Sequence, residues 1–171
     1  WLPRFCRGER IHKGDLMTTY LYVLSIGPVQ DFIAAARKTR DLWFGSHLLS
    51  EISKTAARTI AENGGELIFP ALEAGDKRLN SSTDLDAFNV ANIILAVLPE
   101  EGVKLNPSDL NEMTKDAARE QWKRFSEGAK DKAGLDIRQD IWTDQIDDVI
   151  EFYAAWVPMG ESYQKTRMSV M

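Results

Sequence analysis

Two apolar runs, Tyr20 to Ile26 and Val90 to Leu98, constrain this chain more than any other feature. Each is too continuous for a strand with one solvated face, so each reads as a strand in the middle of a sheet. Proline closes both, in Gly27-Pro28 and at Pro99, and a helical pattern follows each. Behind the first run, Val29, Phe32, Ile33 and Ala36 share one helical face. Gly45-Ser46 interrupts that helix, with Pro28 at its first position and Ser46 as the cap of a second. Leu48, Leu49, Ile52, Ala56 and Ile60 then recur at three and four, until Asn63-Gly64-Gly65 ends the pattern as a C-terminal cap. Asn106-Pro107 opens another helix, with Leu110, Met113, Ala117, Trp122, Phe125 and Ala129 on its buried face and Gly134 as its stop. Ile137, Ile141, Trp142 and Ile146 mark a short further helix.

Two more runs, Glu66 to Pro70 and Val149 to Val157, read as strands. The stretch Glu73 to Ala87 is loop chemistry, long enough to be functional or mobile. The order is strand, helix, strand, strand, helix, strand. That is the α+β ferredoxin-like (βαββαβ) arrangement, a four-stranded antiparallel sheet with helices on one face. Right-handed crossovers place the first and third strands side by side at its centre, and these are the two most apolar runs.

At 171 residues, 44% apolar and 27% charged, the chain suits one soluble globular domain. A net charge of −5 gives no general affinity for nucleic acid. The single cysteine, Cys6, excludes an internal disulfide and a multi-cysteine zinc site. No apolar run is long enough to span a bilayer, and no secretory signal is visible, so a cytoplasmic location is expected. Residues 1–16 have no sustained period and stand before Met17, so we expect a non-native or disordered leader. The domain then spans residues 17–160, and 161–171 reads as the truncated start of a following helical segment.

The strand-to-helix junction Gly27-Pro28-Val29-Gln30 is the strongest candidate for chemistry. A glycine there lets a ligand approach the backbone, and the helix start offers N–H groups to an anion. Gln30 lies too early in the helix for the core, and Arg37 and Arg40 can reach a phosphate or a surface carboxylate. A tight turn with a solvated cationic face remains the alternative. His12 and His47 are far apart and form no ligand set. Asp144, Asp147 and Asp148 read as a solvated acidic turn, with magnesium binding as the alternative. Trp43-Phe44 beside Gly45 is expected at the surface, as a docking surface for another domain.

The residues IGPVQDFIAAARKTRDLWFGSHLLSEISK, followed in order by LIFPAL, NVANIILAVLP, FYAAWVP and SYQKTR, carry a resemblance. Over residues 17–167 the chain resembles the first palm domain of the large, polymerase/cyclase-like subunit of type III-B (Cmr-type) CRISPR effector complexes. That resemblance implies two facing palms around an ATP cleft, with cyclic oligoadenylate made when guide RNA pairs with target RNA. Partners implied are the other Cmr-type subunits, guide and target RNA, and ATP, with no membrane. Matching positions imply that Ser25, Gly27, Gln30 and Arg37 line the cleft. Gly27 would admit the ligand to the backbone, Ser25 and Gln30 would bond base or ribose, and Arg37 would neutralise phosphate. The family's metal-binding Gly-Gly-Asp-Asp turn lies in the second palm and is not found here, nor is its HD nuclease. We therefore expect no catalytic residue, no metal ligand and no tightly bound cofactor in this chain, with ATP and magnesium engaged in the intact protein. The rival expectation is a stand-alone ferredoxin-like module that binds RNA or protein. An independent small enzyme is the weakest, because no coherent acid/base or metal constellation is visible.

Overall fold

The computed structural model describes residues 19–80, 88–102, 105–134, 137–159 and 166–168. Its elements are β1 (Tyr20–Gly27), α1 (Val29–Ala35), α2 (Thr39–Glu62), β2 (Glu66–Phe69), β3 (Ile93–Leu98), α3 (Pro107–Ala133), α4 (Gln139–Val149) and β4 (Glu151–Pro158). One short 3-10 turn, Lys77–Leu79, lies between β2 and β3. The sheet order is β2-β3-β1-β4, and every pairing is antiparallel. The two apolar runs are thus the adjacent central strands, and the α+β ferredoxin-like fold is the one observed.

Alternation along β1 sends Tyr22, Leu24 and Ile26 to one face, where they join Ile94, Ala96 and Leu98 of β3. Leu48, Ile52, Ala56 and Ile60 of α2 and Leu110 and Ala118 of α3 close the core over that face. The opposite face carries Leu21, Val23, Ser25, Leu95, Ile93 and Tyr153; it is buried at Leu21 and Leu95 and open at the other end, where Ile93 and Tyr153 are exposed. The α3 ends follow their sequence signals. Asn106 accepts a hydrogen bond from the Asp109 N–H at 2.9 Å, and Gly134 takes the left-handed conformation at φ 60°.

Several boundaries differ from the sequence expectation, among them the start of β4, which is Glu151 because Val149 still belongs to α4. The break between the first two helices falls at Ala36–Lys38, and Gly45-Ser46 lies inside α2. The Asp41 carboxylate accepts hydrogen bonds from the Arg37 and Lys38 N–H groups and restarts the helix there. Burial of Gly45 among the packed turns of α2 outweighs its propensity cost of about 1 kcal/mol. Pro28 is the N-cap of α1, with ψ 121°, so the first helical residue is Val29. Finally, β3 begins at Ile93, because Val90 to Asn92 hold α2 and the end of β1 instead, as described below.

Tyr22 is a buried polar anchor. Its hydroxyl donates to Asn111 Oδ1 at 3.0 Å, and its ring stacks on Trp156 with centroids 6.3 Å apart. Burial, and secondarily the charge of Glu112, hold its phenol well above the ordinary range. Tyr22→Phe should cost about 1–3 kcal/mol, since Asn111 Oδ1 loses its buried donor. The phenol also fixes a pH dependence. Above about pH 10 the unfolded chain releases a proton that the folded state keeps, so stability falls as pH rises. Urea denaturation at pH 8 and pH 10.5 should show a smaller alkaline loss in Tyr22→Phe than in the parent.

Candidate functional site

The strand-to-helix junction is clipped from across the sheet by one side chain. The Ile26 N–H donates to the Asn92 carbonyl at 2.8 Å, and Asn92 Nδ2 donates to the Ile26 carbonyl at 3.0 Å. Both backbone polar groups of Ile26 are therefore satisfied by one residue, which fixes where Gly27 and Pro28 leave the sheet. Two residues earlier, the Val90 N–H donates to Ser50 Oγ at 2.8 Å and ties this approach to α2. The segment before β3 thus braces the junction against both layers.

Beside the junction lies a cavity of about 400 Å³. Val29 and Ile33 of α1, Leu42, Trp43 and Leu49 of α2, and Asn92 are among the residues that line it. Its volume is within the range of small-molecule pockets, and its wall is apolar with a few polar atoms, the usual make-up of such sites. Trp43 is part of the wall and remains 51% exposed, so an aromatic side chain is available to a planar ligand there. The place a Gly27 side chain would fill is free of the chain's own atoms. A Cβ built there meets nothing nearer than the Val29 nitrogen at 3.9 Å.

The four sequence candidates are not gathered into one cluster. Ser25 sits on the sheet face away from the core, beside the exposed Ile93 and Tyr153. Gly27 ends β1, and Gln30 is exposed in the first turn of α1. Arg37 is exposed in the break beyond the far end of α1, about 10 Å from Gln30 at the usual rise per residue. None of the four is among the residues that line the cavity, although Gln30 adjoins Val29 in sequence and Val29 is part of the wall. With seven residues α1 has only a small dipole, and no side chain caps its first-turn N–H groups.

Sequence reasoning missed Asn92, and a signal for it was present. It is the one polar residue in the apolar run Val90 to Leu98, where a polar side chain needs a partner. Gly64-Gly65 is a helix cap as read, with Gly64 at φ 92°. Asp144, Asp147 and Asp148 lie on α4 and not in a turn, and Asp147 pairs with Lys123 at 2.8 Å. Among the described residues no three His, Cys, Asp or Glu side chains come together as a metal site. His47 is buried in α2, while Cys6 and His12 lie outside the described residues. No helix among the described residues is long and apolar enough to cross a membrane.

A protein-family model described as CRISPR-associated protein Cmr2, N-terminal, matches residues 21–127. Among solved structures, one similar chain comes from the cryo-EM structure of the type III-B Cmr-beta bound to cognate target RNA. The two share 19% identity with a TM-score of 0.51, over 82% of this chain and 20% of the other, so the likeness is one of fold. This chain spans about a fifth of the length of that protein. No curated protein matches the sequence.

Proposed function

Because this chain belongs to the family of CRISPR-associated protein Cmr2, N-terminal, we propose that it supplies one wall of an ATP cleft within a type III-B Cmr complex. The observation that carries this reading is the unfilled space at Gly27, set against a braced junction and beside an apolar cavity of about 400 Å³. A nucleotide fits that combination. Its base is planar and apolar on both faces, and its phosphates seek close approach to backbone N–H groups.

In this reading the cavity with Trp43 takes the base, and Gln30 hydrogen-bonds base or ribose at the entrance. Gly27 lets the sugar-phosphate approach the main chain. Ser25 lies on the other face of the sheet and is left out of this set of contacts, while Arg37 neutralises the far end of a triphosphate lying along α1. Magnesium and the groups that carry out phosphoryl transfer would come from a second domain, as would the remaining Cmr subunits and the guide and target RNA. Cyclic oligoadenylate would be the product of that assembly in the cytoplasm, with no turnover by this chain alone. The Cmr-beta structure with its target RNA, similar in fold, supports the same setting.

The test is oligoadenylate formation by the reconstituted complex with guide and target RNA, using the full-length subunit. Gln30→Ala should lower the rate at least about tenfold, the loss of one hydrogen bond made to the nucleotide. Gly27→Ala should fold normally, since a Cβ there has room, and yet weaken ATP binding. Product from the isolated 171-residue chain would refute the proposal.

A further inference from the structure

On the far side of Gly45 from the cavity runs a second concavity, a groove of about 310 Å³ between α2, α3 and α4. Phe44 and Leu48 of α2, Trp122 and Phe125 of α3, and Trp142 and Ile146 of α4 form most of its wall. Helix α4 is amphipathic, yet none of its residues is buried. It touches α3 through the Trp122 indole, which donates to the Ile146 carbonyl at 2.8 Å, and through Trp142, which donates to Glu127. Its apolar face is therefore only half used. Phe44 on the facing helix is 54% exposed. Two helices thus turn apolar side chains towards a space that neither fills, which is the geometry of a receptor groove.

The lip of this groove is charged. Ala35, Ala36 and Asp41 belong to its wall, and between them stand Arg37, Lys38 and Arg40, all exposed. Among the described residues these three form no ion pair, although seven other cations do. The carboxylate nearest in sequence, Asp41, is turned to the Arg37 and Lys38 N–H groups. Screening limits exposed charges to about 10 Å, so the lip acts as a local cationic site although the chain carries −5 overall.

We propose that this groove docks a protein segment presenting two or three apolar side chains at helical spacing, with Asp or Glu beside them toward Arg37, Lys38 and Arg40. The groove has room for a few aliphatic side chains, and the exposed ring at its rim is the kind of residue that anchors interfaces. The lip supplies orientation, because Arg37, Lys38 and Arg40 stand exposed at the α2 edge of the groove and draw the partner's carboxylates there. A nucleic acid is disfavoured, since of the four rings in the wall only Phe44 is exposed, Trp122, Phe125 and Trp142 are half-buried, and Lys130 stands over the Trp142 ring.

Selection of a random peptide display library on this chain tests the proposal. Enriched peptides should carry Leu, Ile, Phe or Met at i and i+3 or i+4, with an excess of Asp and Glu. Phe44→Ser and Trp142→Ala, each checked for an unchanged melting profile, should weaken the selected peptides at least tenfold. The triple change Arg37→Glu, Lys38→Glu and Arg40→Glu should remove the preference for acidic sequences. Enrichment no better than on Phe44→Ser, or enrichment of basic sequences, would overturn it. So would tighter binding of single-stranded poly(U) than of any selected peptide, with the same variants abolishing it. ATP added in excess should compete at most for Arg37 and leave the apolar contacts of the peptides intact; complete loss of the peptides would overturn the proposal, because the groove and the cavity would then be one site.

Discussion

Lys54→Met is expected to destabilise this fold by about 3–5 kcal/mol. Lys54 and Glu51 form an ion pair one turn apart on α2, with 1% and 0% of their side chains exposed. Both charges have left water, and Lys54 is the counter-charge that lies against Glu51. Removing the ammonium takes that counter-charge from a buried carboxylate, and a methionine cannot replace it. The pair differs in this from the exposed pairs along α3, such as Arg119 with Asp116, each of which contributes well under about 1 kcal/mol. Urea denaturation should show a lower midpoint with an unchanged slope, and Tm should fall by roughly 10 °C for a domain of this size. Glu51→Gln combined with Lys54→Met should recover much of the loss, since no buried charge is then left. A midpoint within error of the parent in the single variant would show that the pair is not buried as described.

Gly65→Ala is expected to cost about 2–3 kcal/mol, by overpacking. A Cβ at Gly65 would stand 2.5 Å from Ile60 Cγ2, 3.0 Å from the Ile60 carbonyl oxygen and 3.2 Å from Leu98 Cδ2. Ile60 and Leu98 are core residues with at most 2% exposure, so neither can move aside without displacing others. Gly64 next to it needs glycine for a different reason, its φ of 92°. Gly64→Ala should therefore destabilise through backbone strain and leave the core intact. The two variants separate by their near-UV circular dichroism, which should change for Gly65→Ala alone.

Much of this architecture is legible in the sequence because its signals are local and strong. The central strands betray themselves as unbroken apolar runs, and α3 announces both ends with Asn106-Pro107 and Gly134. What misleads is Gly45-Ser46, which reads as a break by propensity alone. There the packing of α2 decides, and the true break is set by a carboxylate, Asp41, reaching back to two backbone N–H groups. A buried ion pair is equally hidden, because Glu51 and Lys54 at a spacing of three look like any solvated helix face. What buries them is the tertiary packing around α2, which no pattern in the helix itself records.

The junction beside the cavity was legible in outline, since a strand ending in Gly27-Pro28 before a helix is a short-range pattern. Its depth was not. The cavity is assembled from α1, the second turn of α2 and the approach to β3, which lie up to 63 residues apart as Val29 and Asn92. The lone polar residue of an apolar run, Asn92, carried the only trace of that long-range contact. The exposure of Trp43 and Phe44 was foreseeable, but that the two rings serve different hollows follows only from Gly45 standing between them.

The most direct test of the nucleotide-wall account is an amide and indole NMR titration of this chain with ATP. The account predicts weak, saturable shifts confined to Ile26 through Gln30, Asn92 and the Trp43 indole, with the Gly27→Ala protein folded and its shifts reduced. Absence of shifts there up to millimolar ATP, or shifts centred on another part of the fold, would contradict it.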